Sequence, residues 1–257
     1  MEPADYHAWT RALRDALGGD DRVVGLVAVG SMADRDYGPD RYSDHDFFVV
    51  STPGGQEALR RDLSWLPAGR PVALTLRETE HGLKVVYDDG HLLEFAVFDL
   101  EELGLARVNR YRVLLDRGGV TERMAEVARE RVAPETIEHA FGMLVTNVLV
   151  GAGRHARGEA LSGAFFVKSL SVRWLVVLVT QIVPAEASTL LDDLDPLRRF
   201  DRVHPVVAGE IERLLVASTP EAAAGLLDLA ERALRARAPG LEWPALEVVR
   251  QVVADLA

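Results

Sequence analysis

Two aspartates separated by one residue, Asp44 and Asp46, introduce an apolar run that continues Phe47-Phe-Val-Val50. In an extended strand, residues two apart project to the same side, so both carboxylates face one way at one end of it. Two ionised carboxylates that close repel each other. Burying them without a counter-charge costs on the order of several kcal/mol or forces one to protonate. A hard divalent cation with oxygen ligands cancels that cost, and magnesium favours one or two protein carboxylates together with substrate phosphates.

Gly30-Ser31 supplies the complementary half. It closes the apolar, β-branched-rich run Val23-Val-Gly-Leu-Val-Ala-Val29. A glycine after a strand lets phosphate oxygens approach the backbone, and the N–H groups of the following turn, with the Ser31 hydroxyl, can hold them. One site could therefore grip a triphosphate from the glycine side and its metal from the carboxylate side. Taken singly, a Gly-Ser pair is more often a tight turn and an Asp-x-Asp a solvated acidic loop.

The elements that must position these residues are legible from periodicity. Helical spacing over 8–17 (Trp9, Leu13, Ala16, Leu17) stops at Gly18-Gly19. Strands are predicted at 23–29, 45–51, 72–77, 83–87, 91–98 and 112–115, with a short helix at 56–65. Asp88-Asp89-Gly90 reads as a hairpin turn between two of the strands. Beyond Thr121 only helical periodicity remains, at 135–150, 161–183, 204–217, 220–236 and 244–256. Strands first and helices later predict an α+β part followed by a helical bundle, with domains at 1–132 and 133–257.

Composition narrows the class. The chain has 257 residues, 48% hydrophobic and 27% charged, which is ordinary globular composition. It has no cysteine, so disulfides, thiolate metal sites and cysteine nucleophiles are excluded, and a cytoplasmic location fits. The N-terminus lacks a basic segment followed by an apolar run, so no secretory signal is predicted. The most apolar stretch, 161–183, contains Lys168, Arg173, Thr180 and Gln181, and is read as a buried helix rather than a membrane span. The net charge of −11 is unfavourable for binding nucleic acid through its phosphates. It is concentrated early, with 10 basic and 18 acidic residues through Leu100, which suits metal ions or a cationic substrate and equally suits plain solubility.

The combination of apolar strand, Gly30-Ser31, a 12-residue spacer and Asp44-x-Asp46 opening a second apolar strand resembles the signature of the polymerase-β-like nucleotidyltransferase superfamily. The spacer, with Tyr37-Gly-Pro and Tyr42-Ser-Asp44, is most similar to the antibiotic-modifying aminoglycoside and lincosamide nucleotidyltransferases. The likeness covers roughly 22–118 with recognisable motifs and is only architectural beyond. It implies a nucleotidyltransferase domain with a mixed β-sheet, a C-terminal helical bundle, and an acceptor bound in the cleft between them. It also implies a third carboxylate on a later strand. Asp89-Gly-His-Leu-Leu-Glu94 is similar to the turn-then-strand element that carries it, which points to Glu94, where many members have Asp. The longer side chain could serve as a metal ligand or as general base. Asp99 is the rival; strict alternation puts it on the opposite face from Glu94, and it better suits a helix cap.

The implied chemistry is direct in-line transfer of a nucleoside monophosphate, with AMP from ATP as the leading case. One or two Mg2+ ions would lie on Asp44, Asp46 and Glu94, the β,γ-phosphates on Gly30, Ser31 and Lys168, and Glu159 would meet a cationic hydroxylated acceptor. An aminoglycoside-type antibiotic is the first expectation for that acceptor. A protein or RNA acceptor, or a non-catalytic nucleotide-binding relative, stands as the alternative, and a homodimer is compatible with either. His45 should face away from the two aspartates, and Arg35 near the phosphate turn is by default a solvated arginine. Lys168, one of only two lysines, can equally be a snorkelling side chain. Arg199 and His204 are separated by four residues, a spacing used by certain helical ribonucleases, but Pro205 better suits a helix boundary there.

Overall fold

The computed structural model describes residues 2–33, 38–130 and 133–256; Arg35 and Tyr37 lie outside them. The chain divides into two compact units, Met1–Val132 and Ala133–Ala257. The first is built on a six-stranded mixed sheet. In chain order its elements are α1 (Pro3–Gly18), β1 (Val23–Val29), a 3-10 turn (Gly30–Ala33), β2 (His45–Ser51), α2 (Gln56–Arg61), β3 (Val72–Arg77), β4 (Gly82–Tyr87), β5 (Leu92–Phe98), a second 3-10 turn (Glu102–Leu105), β6 (Arg112–Asp116) and α3 (Val120–Val127). The strand order is β3-β4-β5-β2-β1-β6. β2 and β5 run parallel, while β1–β2, β1–β6, β4–β5 and β3–β4 are antiparallel. The α+β class with a mixed sheet is the one the sequence predicts.

Alternation along the central strands buries both sheet faces. Leu26, Ala28, Phe47, Val49, Leu93, Phe95 and Val97 pack under Tyr6, Trp9, Leu13 and Leu17 of α1 and Leu59 of α2. Val27, Val50 and Phe98 point the other way, onto Val120, Met124 and Val127 of α3 and Leu103. Burial on both faces explains why these strands read as continuous apolar runs. β3 is an edge strand and is exposed along its whole length.

The larger differences from the sequence reading in this unit are in its helices. The first helix starts at Pro3 rather than residue 8, which adds Tyr6 to the Trp9-Leu13-Leu17 stripe. The helix at 56–65 stops at Arg61, and α3 was not anticipated as a separate helix.

The second unit is helical: α4 (Ile137–Ala156), α5 (Ala160–Phe165), a π-helical segment (Phe166–Ser171), α6 (Val172–Ile182), α7 (Phe200–Val203), α8 (Pro205–Val216), α9 (Thr219–Leu234) and α10 (Trp243–Leu256), with a short 3-10 turn at Ser188–Leu190. Gly151 and Gly153, just past the helix end expected at 150, lie inside α4. Gly151 is needed there because a Cβ would meet the Gly163 carbonyl oxygen at 2.9 Å. Ala160–Ile182 is one continuous helix, long and apolar enough by length and composition to cross a membrane. Its Val167, Val172, Leu175, Val176, Leu178 and Val179 are nevertheless buried in this unit's own core.

Candidate active site

Sheet register places the acidic residues. Asp46 pairs with Val29 of β1 on one side and with Glu94 of β5 on the other. Residues directly opposite each other in a ladder project from the same face. Asp46 and Glu94 are therefore neighbours by register, and Asp44, two residues earlier, joins them. One carboxylate oxygen from each of Asp44, Asp46 and Glu94 lies within 4.8 Å of the others, and all three residues are half-buried. Three half-buried carboxylates this close repel one another. Oxygen donors at that spacing suit a hard divalent cation, so the three residues fit the magnesium that the sequence motif implies.

Gly30 is dictated by the same cluster. Its φ of +53° is in the left-handed region, and a Cβ there would overlap Asp46 Oδ2 and lie 2.9 Å from Asp46 Cγ. Only glycine satisfies both the backbone and the carboxylate packed against it. Gly30–Ala33 then turns as a 3-10 helix at the end of β1, beside the Asp46 carboxylate.

Ser31 is held by a residue that motif reading missed. The Asp44 carbonyl oxygen accepts from the Tyr6 hydroxyl at 2.8 Å and from Ser31 Oγ at 2.9 Å, and the two hydroxyls are 2.9 Å apart. The two hydroxyls share the Asp44 carbonyl, which fixes Ser31 Oγ at the end of β1 next to the start of β2. Tyr6 is buried, and burial, then the fields of Asp46 and Asp44, push its phenol well above the usual range, so it remains a donor. The available signal was the spacing of Tyr6 to Trp9, Leu13 and Leu17 on one helix face. Tyr6→Phe is expected to lower the unfolding free energy by about 1 kcal/mol, the size of one net hydrogen bond. Denaturant titration beside wild type checks it.

His45 faces away from the aspartates, as alternation requires, into a buried polar chain. Its ring stacks on Tyr6 with centroids 3.7 Å apart. Nδ1 lies 2.7 Å from His91 Nε2, and Nε2 lies 3.2 Å from Thr10 Oγ1. Burial, reinforced by the neighbouring His91, pushes His45 down to about 3, and burial pushes His91 down to about 4. Both values lie below the unfolded histidine's 6.5, so the folded state binds fewer protons. The neutral pair's contribution is whole above pH 6.5 and is lost progressively as pH falls toward 3. Unfolding free energy is expected to fall between pH 6.5 and 5 by up to about 1.4 kcal/mol per pH unit for His45 alone. Denaturant titrations across that range, repeated on His91→Gln with a flatter slope expected, check the sign.

The remaining sequence candidates have local partners. Asp99 accepts from the backbone N–H groups of Glu101 and Glu102 at 2.9 and 2.8 Å and from Gln56, and so caps the turn at Glu102–Leu105. Lys168, in the π-helical segment, donates to the carbonyls of Leu215 and Ala217 at the end of α8. Those carbonyls are the ones a helix C-terminus leaves unmatched. Glu159 is half-exposed, 3.4 Å from Arg157 Nε. Lys168 and Glu159 belong to the second unit, whereas Gly30, Ser31 and the three carboxylates belong to the first. His204 sits at the boundary between α7 and α8.

Comparison with known proteins places these features in context. No protein-family model matches the sequence, and no curated protein sequence matches it. Among solved structures the chain is similar to an aminoglycoside 6-adenyltransferase from Bacillus subtilis, at 13% identity over 96% of this chain and 97% of that one, with a TM-score of 0.37. It is similar to a nucleotidyltransferase-like protein from Exiguobacterium sibiricum at 12% identity, over 98% and 89% of the two chains, with a TM-score of 0.36. A Bradyrhizobium diazoefficiens CD-NTase, CdnG, in complex with GTP matches at 14% identity, over 99% and 88%, with a TM-score of 0.26. Similarities this low fix neither substrate nor role, and the chemistry has to come from the local geometry.

One residue of that geometry carries no motif at all. Lys84 of β4 pairs in register with Glu94, and its Nζ lies 2.7 Å from Glu94 Oε1 and 2.9 Å from Glu78 Oε1. A lysine inside an alternating strand gives no signal until the register is known.

Proposed function

We propose that the protein is a metal-dependent nucleotidyltransferase that moves a nucleoside monophosphate, AMP from ATP in the leading case, onto a hydroxyl of a small molecule. The observation that carries this reading is the gathering of Asp44, Asp46 and Glu94 within 4.8 Å, with Gly30 packed on Asp46. When bound there, one or two Mg2+ ions would supply charge neutralisation of the triphosphate. Asp44 and Asp46 would hold the metal. The N–H groups of the Gly30–Ala33 turn and the Ser31 hydroxyl would orient the β,γ-phosphates. The acceptor oxygen would attack the α-phosphorus, the bond to the β-phosphate oxygen would break, and pyrophosphate would leave. Glu94 is placed either to complete the metal site or to take the hydroxyl proton.

For the acceptor, an aminoglycoside-type antibiotic is the first candidate. It is cationic, and the segment through Leu100 has a charge excess of 18 acidic over 10 basic residues. Cytoplasmic action fits this reading. Incubation with ATP labelled at the α-phosphate, Mg2+, and a panel of aminoglycosides and lincosamides tests it. Pyrophosphate release that depends on one of these acceptors is the expected result. Labelling of a protein or RNA instead would redirect the acceptor assignment, and metal-dependent ATP binding without transfer would overturn catalysis.

A further inference from the structure

We propose that Lys84 is a positioning residue for Glu94, holding one of its oxygens on the β4 side in competition with the divalent cation. This rests on the metal-dependent reading above. Register lines up Val29, Asp46, Glu94, Lys84 and Leu76 in one row across five strands, so their side chains leave the same face of the sheet. Within that row Lys84 Nζ is 2.7 Å from Glu94 Oε1, and Glu78 at 2.9 Å steadies the ammonium from the far side. An ordinary lysine, with a pKa of about 10.4, is already an ammonium at neutral assay pH.

Two cations on one carboxylate repel, and each weakens the other's hold by the same factor. The three carboxylates thus already carry one positive charge before a metal arrives. They should bind a cation less tightly than three unshared carboxylates would. The pairing has a direction as well. β4 lies on one side of Glu94, whereas β1 and its Gly30–Ala33 turn lie beyond Asp46 on the other. In an in-line transfer with pyrophosphate leaving over that turn, the acceptor approaches from the opposite side, the side to which Lys84 draws Glu94.

Titration of the full-length protein with Mn2+, followed by the electron paramagnetic resonance signal of the free ion, reads the competition without any acceptor. Lys84→Met is expected to bind Mn2+ at least about fivefold more tightly than wild type, and Lys84→Arg to match wild type within about twofold. Arg77→Met, which removes a charge of the neighbouring strand paired with Glu57, is expected to leave Mn2+ affinity unchanged. Lys84→Gln repeats the test should the methionine variant fail to fold. Unchanged or weaker Mn2+ binding in the Lys84 variants, with binding lost in Asp46→Asn, overturns the role of Lys84 and leaves the metal site standing. No Mn2+ binding by wild type, or equal binding by wild type and Asp46→Asn, overturns both.

Discussion

Asp46→Asn is expected to lower nucleotidyl transfer by at least about a thousandfold, the scale of losing a group that organises transition-state charge. The amide keeps the shape of the side chain and removes its charge. Asp46 stands between Val29 and Glu94 in the sheet, with one oxygen within 4.8 Å of oxygens from Asp44 and Glu94. No other described residue can take its place in that row, because register admits one residue per strand. The fold should survive the change. At about 5 Å two like unit charges repel by roughly 1 kcal/mol in a water-like dielectric and by more at a protein surface. Removing one of three relieves part of that repulsion, so metal-free Asp46→Asn should remain folded. Paired assays of pyrophosphate release and thermal melting check both halves. A variant that keeps full activity would remove Asp46 from the chemistry, and one that unfolds would make it a structural residue.

Gly30→Ala is expected to reduce activity by at least about a hundredfold through geometry alone. Its Cβ would lie 2.9 Å from Asp46 Cγ and overlap Oδ2, so the carboxylate must shift from its place beside Asp44 and Glu94. Misplacing a reacting or metal-binding group by about 1 Å can cost roughly a hundredfold. The φ of +53° adds strain of about 1–2 kcal/mol for any residue with a Cβ. Gly54→Ala separates the two effects, since Gly54 has a φ of +82° but open space around the position of a Cβ. It should lose similar stability and keep full activity. Equal losses of activity in both variants would show that strain, not contact with Asp46, explains the glycine.

Much of this site is local and therefore visible in the sequence. β1 and β2 are apolar runs buried on both faces, and each carries its functional residues at an end, where the run meets a polar turn. Glu94 is indicated by the likeness of the Asp89-Gly90 turn and the strand after it to an element of the resembled superfamily, and Asp99 capping the next turn follows from its position. What could not be read is tertiary. Tyr6 reaches Ser31 only because α1 docks against the sheet. Lys84 meets Glu94 only through a ladder that pairs β4 with β5. Even Gly30, recognised for its place after a strand, has a reason that lies 16 residues away, in the Asp46 side chain that occupies the space of its missing Cβ. The contact of Lys168 with the carbonyl end of α8 is tertiary in the same way, joining segments far apart in the chain.

The most direct measurement is a crystal structure with Mn2+ and a non-hydrolysable ATP analogue, read by anomalous scattering at the manganese edge. The expected result is a peak at coordination distance, about 2–2.3 Å, from carboxylate oxygens of Asp44 and Asp46, with the β,γ-phosphates against Gly30 and Ser31. Manganese and nucleotide bound elsewhere, with Asp44 and Asp46 facing only solvent, would contradict the assignment of this site.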